Sequence, residues 1–127
     1  MAYSKIINMP ERKTLLLLED ILDAAEKIMS YTYKMRFKDF IDNDEAMDAV
    51  IRNFEIIGEA AHRIPKDFKA DNTLIEWRQI IGFRNCIVHA YFQIDYEMVW
   101  KIKENNLSTL IESVEQLIDN LYLQSGQ

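Results

Sequence analysis

A chain of 127 residues, 49% hydrophobic and 28% charged, is long enough to bury one core without disulfides. Its formal charge of −6 excludes a broadly basic surface that tracks a nucleic-acid backbone by counterion release, and one cysteine with two histidines is too few for a structural zinc site. The apolar run Leu15 to Leu18 falls far short of the roughly 20 residues of a membrane span, and no leader pattern opens the chain, so a cytoplasmic protein with no membrane contact, no cofactor and no metal is expected.

Residues 1–8 read as an arm before a helix whose first turn suits Pro10, with its fixed φ and missing N–H, and Glu11, favoured by the positive helix end. From there Leu15, Leu18, Ile21, Leu22, Ala25, Ile28 and Met29 recur at the spacing of one buried helical stripe. Residues 31–41, with Tyr31, Tyr33, Phe37 and Phe40, predict a connection with room for one short helix. Asp42 followed by Glu45 predicts a capping box that opens a second long helix. Its stripe is Met47, Val50, Ile51, Phe54, Ile57, Gly58 and Ala61, and Pro65 ends it. Gly58 is placed there to let another helix come close, and His62, near the helix end, is expected to be structural, its imidazole meeting free carbonyls.

Asp71, Asn72 and Thr73 offer caps for a third long helix, whose stripe runs Trp77, Ile80, Ile81, Arg84, Ile87, Val88 and Tyr91. Asp95 caps a last helix with Leu107, Leu110, Ile111, Val114, Leu117, Ile118 and Leu121 on its inner face, and Asn105 and Asn106 are where it would bend or break. No alternating pattern competes for a strand. The expected fold is all-α, an antiparallel bundle of four principal helices in one domain over 9–124, followed by a short tail at 125–127.

The third stripe contains the chemistry. A guanidinium among Ile, Trp and Val is costly to bury unless it meets an anion, a hydrogen-bonding network or a polar cavity. At about 100° per residue Arg84 and Tyr91 share a face about 20° wide, while His89 lies about 140° from Arg84 on a regular helix. Convergence therefore needs the length of the arginine or a local break. Arginine's forked donors suit a phosphate, and histidine, with a free pKa of about 6.5, both takes and gives a proton near neutrality. Such a pair suffices in principle for RNA transesterification, His89 moving the proton at the ribose 2′-hydroxyl or the leaving oxygen and Arg84 stabilising charge on the phosphoryl oxygens. Taken alone, an Arg and a His five residues apart are commonplace, and Tyr91 alone reads as a core or interface tyrosine.

The longer run Trp77-Arg78-Gln79-Ile80-Ile81-Gly82-Phe83-Arg84-Asn85-Cys86-Ile87-Val88-His89-Ala90-Tyr91 resembles the signature of HepT-like proteins of the HEPN superfamily. The likeness extends upstream through Ala49 to Ala61 and Arg63-Ile64-Pro65, and downstream to Asp95 and Val99-Trp100, about residues 12–115 in all. It implies a four- to five-helix HEPN bundle that forms a homodimer, the two motifs facing one cleft. It further implies a metal-independent RNase toxin of a type VII toxin–antitoxin module, acting on tRNA or mRNA, whose MNT-type nucleotidyltransferase partner silences it by adding AMP to the motif tyrosine. Carried onto this chain, Arg84 and His89 are the catalytic pair, Tyr91 is the AMP acceptor, and Asn85 orients the phosphate or His89. Ala90 departs from the glycine of many relatives.

Glu59 sits at the flank of the second stripe, where it is either a solvated acid or the partner that holds Arg84 by a charge-assisted pair. Arg52 and Asn53 are either solvated or at the cleft mouth. The rival functional reading is a noncatalytic module that presents a nucleotide or a partner to a nucleotidyltransferase, with Arg84 in an anion pocket.

Overall fold

The computed structural model describes residues 9–90 and 93–125. Among them every regular element is helical: α1 (Met9–Tyr31), α2 (Phe37–Ile41), α3 (Asp44–Arg63), α4 (Lys66–Asp71), α5 (Trp77–Val88) and α6 (Tyr96–Ser125). Four longer helices form the bundle and two short ones connect them, so the all-α expectation holds. α1 packs along both α3 and α6, α3 also packs along α5, and α2 bridges α3 and α6. No helix of the described residues is long and apolar enough to cross a membrane.

The core follows from the stripes. Leu18, Ile21 and Ile28 of α1, Val50 and Ile57 of α3, and Val99, Leu107 and Val114 of α6 are buried almost completely. Because α1 has neighbours on two sides, its buried arc is wider than one stripe. Leu17 and Ala24 are buried as well, whereas Met29 is 38% exposed. The aromatic connection becomes a structural joint: Phe40 lies 5.1 Å from Trp100 and 6.3 Å from Tyr96, ring centre to ring centre, and locks α2 onto the start of α6. Lys103 is buried with its ammonium 4.4 Å from the centre of the Trp100 ring, an arrangement in which the ring face replaces part of the lost water.

Several caps differ from expectation. Asn43, not Asp42, opens α3: its Oδ1 accepts from the Ala46 N–H at 3.0 Å. Asp42 closes α2 with φ −90° and ψ 0°, whereas Asn43 has the extended backbone of an N-cap, φ −120° and ψ 95°, so the cap moves one residue along. Asn43→Ala is expected to lower stability by about 1 kcal/mol, read from the urea midpoint, while Asp42→Ala leaves it nearly unchanged.

Asp71 to Thr73 do not cap the third long helix. An additional short helix, α4, ends there, and Asn72 closes it, donating through Nδ2 to Phe68 O at 2.8 Å. The Asn72 carbonyl also accepts the indole N–H of Trp77 at 2.9 Å. A buried indole needs such a partner, and this bond sets where α5 begins. Lys69 of α4 donates to Ala61 O at 3.0 Å and His62 O at 3.4 Å, closing the carbonyl end of α3 in the role expected of the His62 imidazole. Burial, with Lys66 nearby, lowers the Lys69 pKa from the ordinary lysine value. At the last helix Asp95 does cap, accepting from the Met98 N–H at 3.0 Å. α6 then runs unbroken through Asn105 and Asn106, whose exposed side chains are solvated and do not compete with the helix backbone.

Candidate active site

Arg84 owes its position to a glycine. α5 crosses α3 at Gly58, and a Cβ added there would overlap Arg84 Cβ and Cγ. The arginine stem thus fills the place where an α3 side chain would have been. One residue earlier, Phe83 meets Phe54 edge to face at 5.1 Å and pins the same crossing.

The guanidinium emerges beside Glu59 and Asn85. Its Nη2 donates to Glu59 Oε2 at 2.9 Å and its Nη1 to Asn85 Oδ1 at 3.0 Å, which fixes the plane of the fork from two sides. Arg84 Nε is buried and has no hydrogen-bond partner among the described residues. The Arg84–Glu59 side chains are 29% and 50% exposed, and an ion pair that wet contributes on the order of 0–1 kcal/mol. An unsatisfied buried donor costs about 1–3 kcal/mol. The arrangement therefore orients the arginine without stabilising the fold, as expected of a site rather than of a core.

α5 ends between the two motif residues. Val88 is its last helical residue, and His89 follows with φ −98° and ψ 16°, its N–H donating to Asn85 O at 3.0 Å. The imidazole is exposed, and because the His89 N–H still makes the helical bond to Asn85 O, the offset of about 140° from Arg84 persists to the end of α5. Tyr91 lies outside the described residues. The structure brings Arg84, Glu59 and Asn85 together, with His89 at the close of the same helix.

An open groove of about 470 Å³ runs along this face between α3 and α5, with Leu17 and Asp20 of α1 at its side. Arg52, Arg63 and Arg84 stand in it against Asp20, Glu55 and Glu59, three positive against three negative side chains, so the groove of a single chain carries no net charge. Asp20 was not singled out in the sequence, and Arg63 entered only within the run that carries the resemblance; the further signal of Arg63 is that it falls one turn after Glu59 on the exposed face of α3. Among the described residues no three His, Cys, Asp or Glu side chains gather as metal ligands.

A helical bundle whose α5 ends in this Arg-to-His segment meets its relatives at this point. The family model described as ribonuclease HepT-like matches residues 21–117, and the chain belongs to the HepT-like family. It is 40% identical over 100 residues to a Thermococcus cleftensis protein named "Probable ribonuclease HepT", covering 79% of this chain and 91% of that one. A Methanocaldococcus jannaschii protein named "Putative RNase" is 36% identical over 107 residues, 84% of this chain and 98% of the relative. A Caldanaerobacter subterraneus protein, also named "Putative RNase", is 30% identical over 101 residues, 80% and 90% of the two chains. No solved structure matches.

Proposed function

We propose that this chain is a metal-independent endoribonuclease, the toxin of a type VII toxin–antitoxin module, acting in the cytoplasm as a homodimer through one helical domain over 9–124. The observation that carries the reading is the guanidinium of Arg84, held in plane by Glu59 and Asn85 at the rim of an open groove, five residues before an exposed histidine. Family membership and the names of the relatives support it.

The nucleophile is the substrate's own 2′-hydroxyl. It attacks the adjacent phosphorus, the P–O5′ bond breaks, and the products are a 2′,3′-cyclic phosphate and a 5′-hydroxyl. The reaction needs a proton moved and charge stabilised, which a histidine and an arginine supply without a Lewis acid. His89 moves the proton at the 2′-hydroxyl or at the departing 5′-oxygen, and Arg84 binds the phosphoryl oxygens. Glu59 and Asn85 position Arg84.

In this reading an MNT-type nucleotidyltransferase is the antitoxin and Tyr91 its acceptor. AMP on Tyr91 puts a bulky anion where the substrate phosphate must bind. Co-expression with such a partner is expected to add one AMP to the wild type, none to Tyr91→Phe, and to abolish cleavage only in the former; modification elsewhere would remove Tyr91 from the scheme. The activity itself is tested by the termini of RNA fragments. Cyclic phosphate and 5′-hydroxyl ends support the mechanism, whereas absence of cleavage by unmodified dimer on tRNA and mRNA alike favours the noncatalytic nucleotide- or partner-binding module.

A further inference from the structure

The exposed face of α3 carries its charges in an order that reads as its own complement. Asp48, Arg52, Ile56, Glu59 and Arg63 recur at helical spacing, all exposed, within an arc of about 80° and a length of about 22 Å. The order is acid, base, apolar, acid, base. Turned end for end, it becomes base, acid, apolar, base, acid, so each charge meets its opposite.

We propose that α3 docks antiparallel on α3 of a second copy of this chain, with Ile56 beside the twofold axis. Arg52 then faces Glu59 of the second copy and Asp48 faces its Arg63, each pair occurring twice by symmetry. This rests on the homodimeric reading above and specifies its register. Sliding one helix by a turn in one direction sets Arg52 against Arg63 of the second copy; in the other it sets Asp48 against Glu59. Only the stated register has both pairs opposite in sign. Glu55, at the edge of the stripe, is the acid of α3 within the groove that this register leaves without an opposite number.

Two further observations favour an outside partner for these charges. Asp48 with Arg52, and Glu59 with Arg63, are spaced for ion pairs along their own helix, yet neither pair forms; Glu59 turns to Arg84 instead. Ile56 and Val88, 38% and 42% exposed, flank the groove as apolar contacts for a second copy. The docking also alters the site. Arg52 of the second copy reaches the carboxylate that holds Arg84, shares it, and releases an Nη donor toward the phosphate, so the groove is complete only in the dimer.

The pair Asp48 and Arg63 tests the register without touching the catalytic groups. In sedimentation velocity across a concentration series, Asp48→Lys and Arg63→Glu are each expected to weaken the wild-type dimer by about tenfold or more, and the double variant to recover most of that loss, because the swapped charges meet again. Circular dichroism checks that the variants fold. Independently, Ile56→Cys in a Cys86→Ser background is expected to form an interchain disulfide under mild oxidation. A dimer indifferent to both single substitutions, or a double variant in which the losses add, overturns the register while leaving a dimer through another face. A dimer in which residue 56 does not cross-link does the same. A wild type that remains monomeric overturns the homodimeric reading together with the register.

Discussion

Gly58→Ala is expected to destabilise this protein by about 1–3 kcal/mol, although alanine is intrinsically preferred to glycine inside a helix by up to about 1 kcal/mol. The sign reverses because the new methyl group would occupy the same space as Arg84 Cβ and Cγ. Neither can yield by rotating a flexible end, since both atoms lie at the root of the side chain. α5 must instead move away from α3, loosening the Phe54–Phe83 contact and carrying the guanidinium from Glu59. The same substitution is therefore expected to reduce RNA cleavage. Urea unfolding reads the first effect and initial rates read the second; a rise in stability would show that α3 and α5 leave room for a methyl group at their crossing.

The other large effect concerns Arg84 itself and separates its chemical role from its structural one. Arg84→Ala is expected to lower the cleavage rate by about 10²–10³, the loss typical of removing one preorganised donor to a transition-state oxyanion. Arg84→Lys is expected to recover little, because an ammonium cannot reproduce a fork held on two sides by Glu59 and Asn85. Arg84→Met keeps the aliphatic stem against Gly58 and removes the unpartnered Nε. Its stability should match or exceed that of the wild type, because Glu59, half exposed, returns to water at little cost. An inactive but equally stable methionine variant would mark a catalytic arginine. A methionine variant that fails to fold would mark a structural one.

How much of this was legible in the sequence depended on the range of the forces involved. Apolar stripes come from short-range periodicity, and the buried residues of α1, α3 and α6 largely follow them. Gly58 was legible as a place of close approach because a glycine inside an apolar stripe has few other reasons to be there. Boundaries were less legible, since they turn on competition between neighbours. Asp42 lost the α3 cap to Asn43 because only Asn43, one residue past the end of α2, has the extended backbone a cap needs, and Asn72 served the α4 end and the Trp77 indole rather than the start of α5.

Within the candidate site, the desolvation argument identified Arg84 as a residue needing polar company. It left Glu59 open between a solvated acid and a partner, since whether an acid on α3 reaches an arginine on α5 is a matter of tertiary packing. The end of α5 at Val88, with His89 as its closing residue, likewise has no marker such as proline or glycine in the sequence. Lys103 illustrates the same limit in the core: nothing in a charged residue between Ile102 and Glu104 announces that it will be buried on an indole ring.

The most direct test of the ribonuclease proposal is RNA cleavage in the presence of EDTA, comparing wild type with His89→Ala after mass spectrometry has established that Tyr91 carries no AMP. His89 is exposed and lies beyond the last turn of α5, so the variant should fold as the wild type does. The proposal predicts cleavage by the wild type and a rate lower by about 10²–10⁴ in the variant, the range for loss of a general acid–base. Equal rates for the two proteins, or no cleavage by the unmodified wild type, would contradict it.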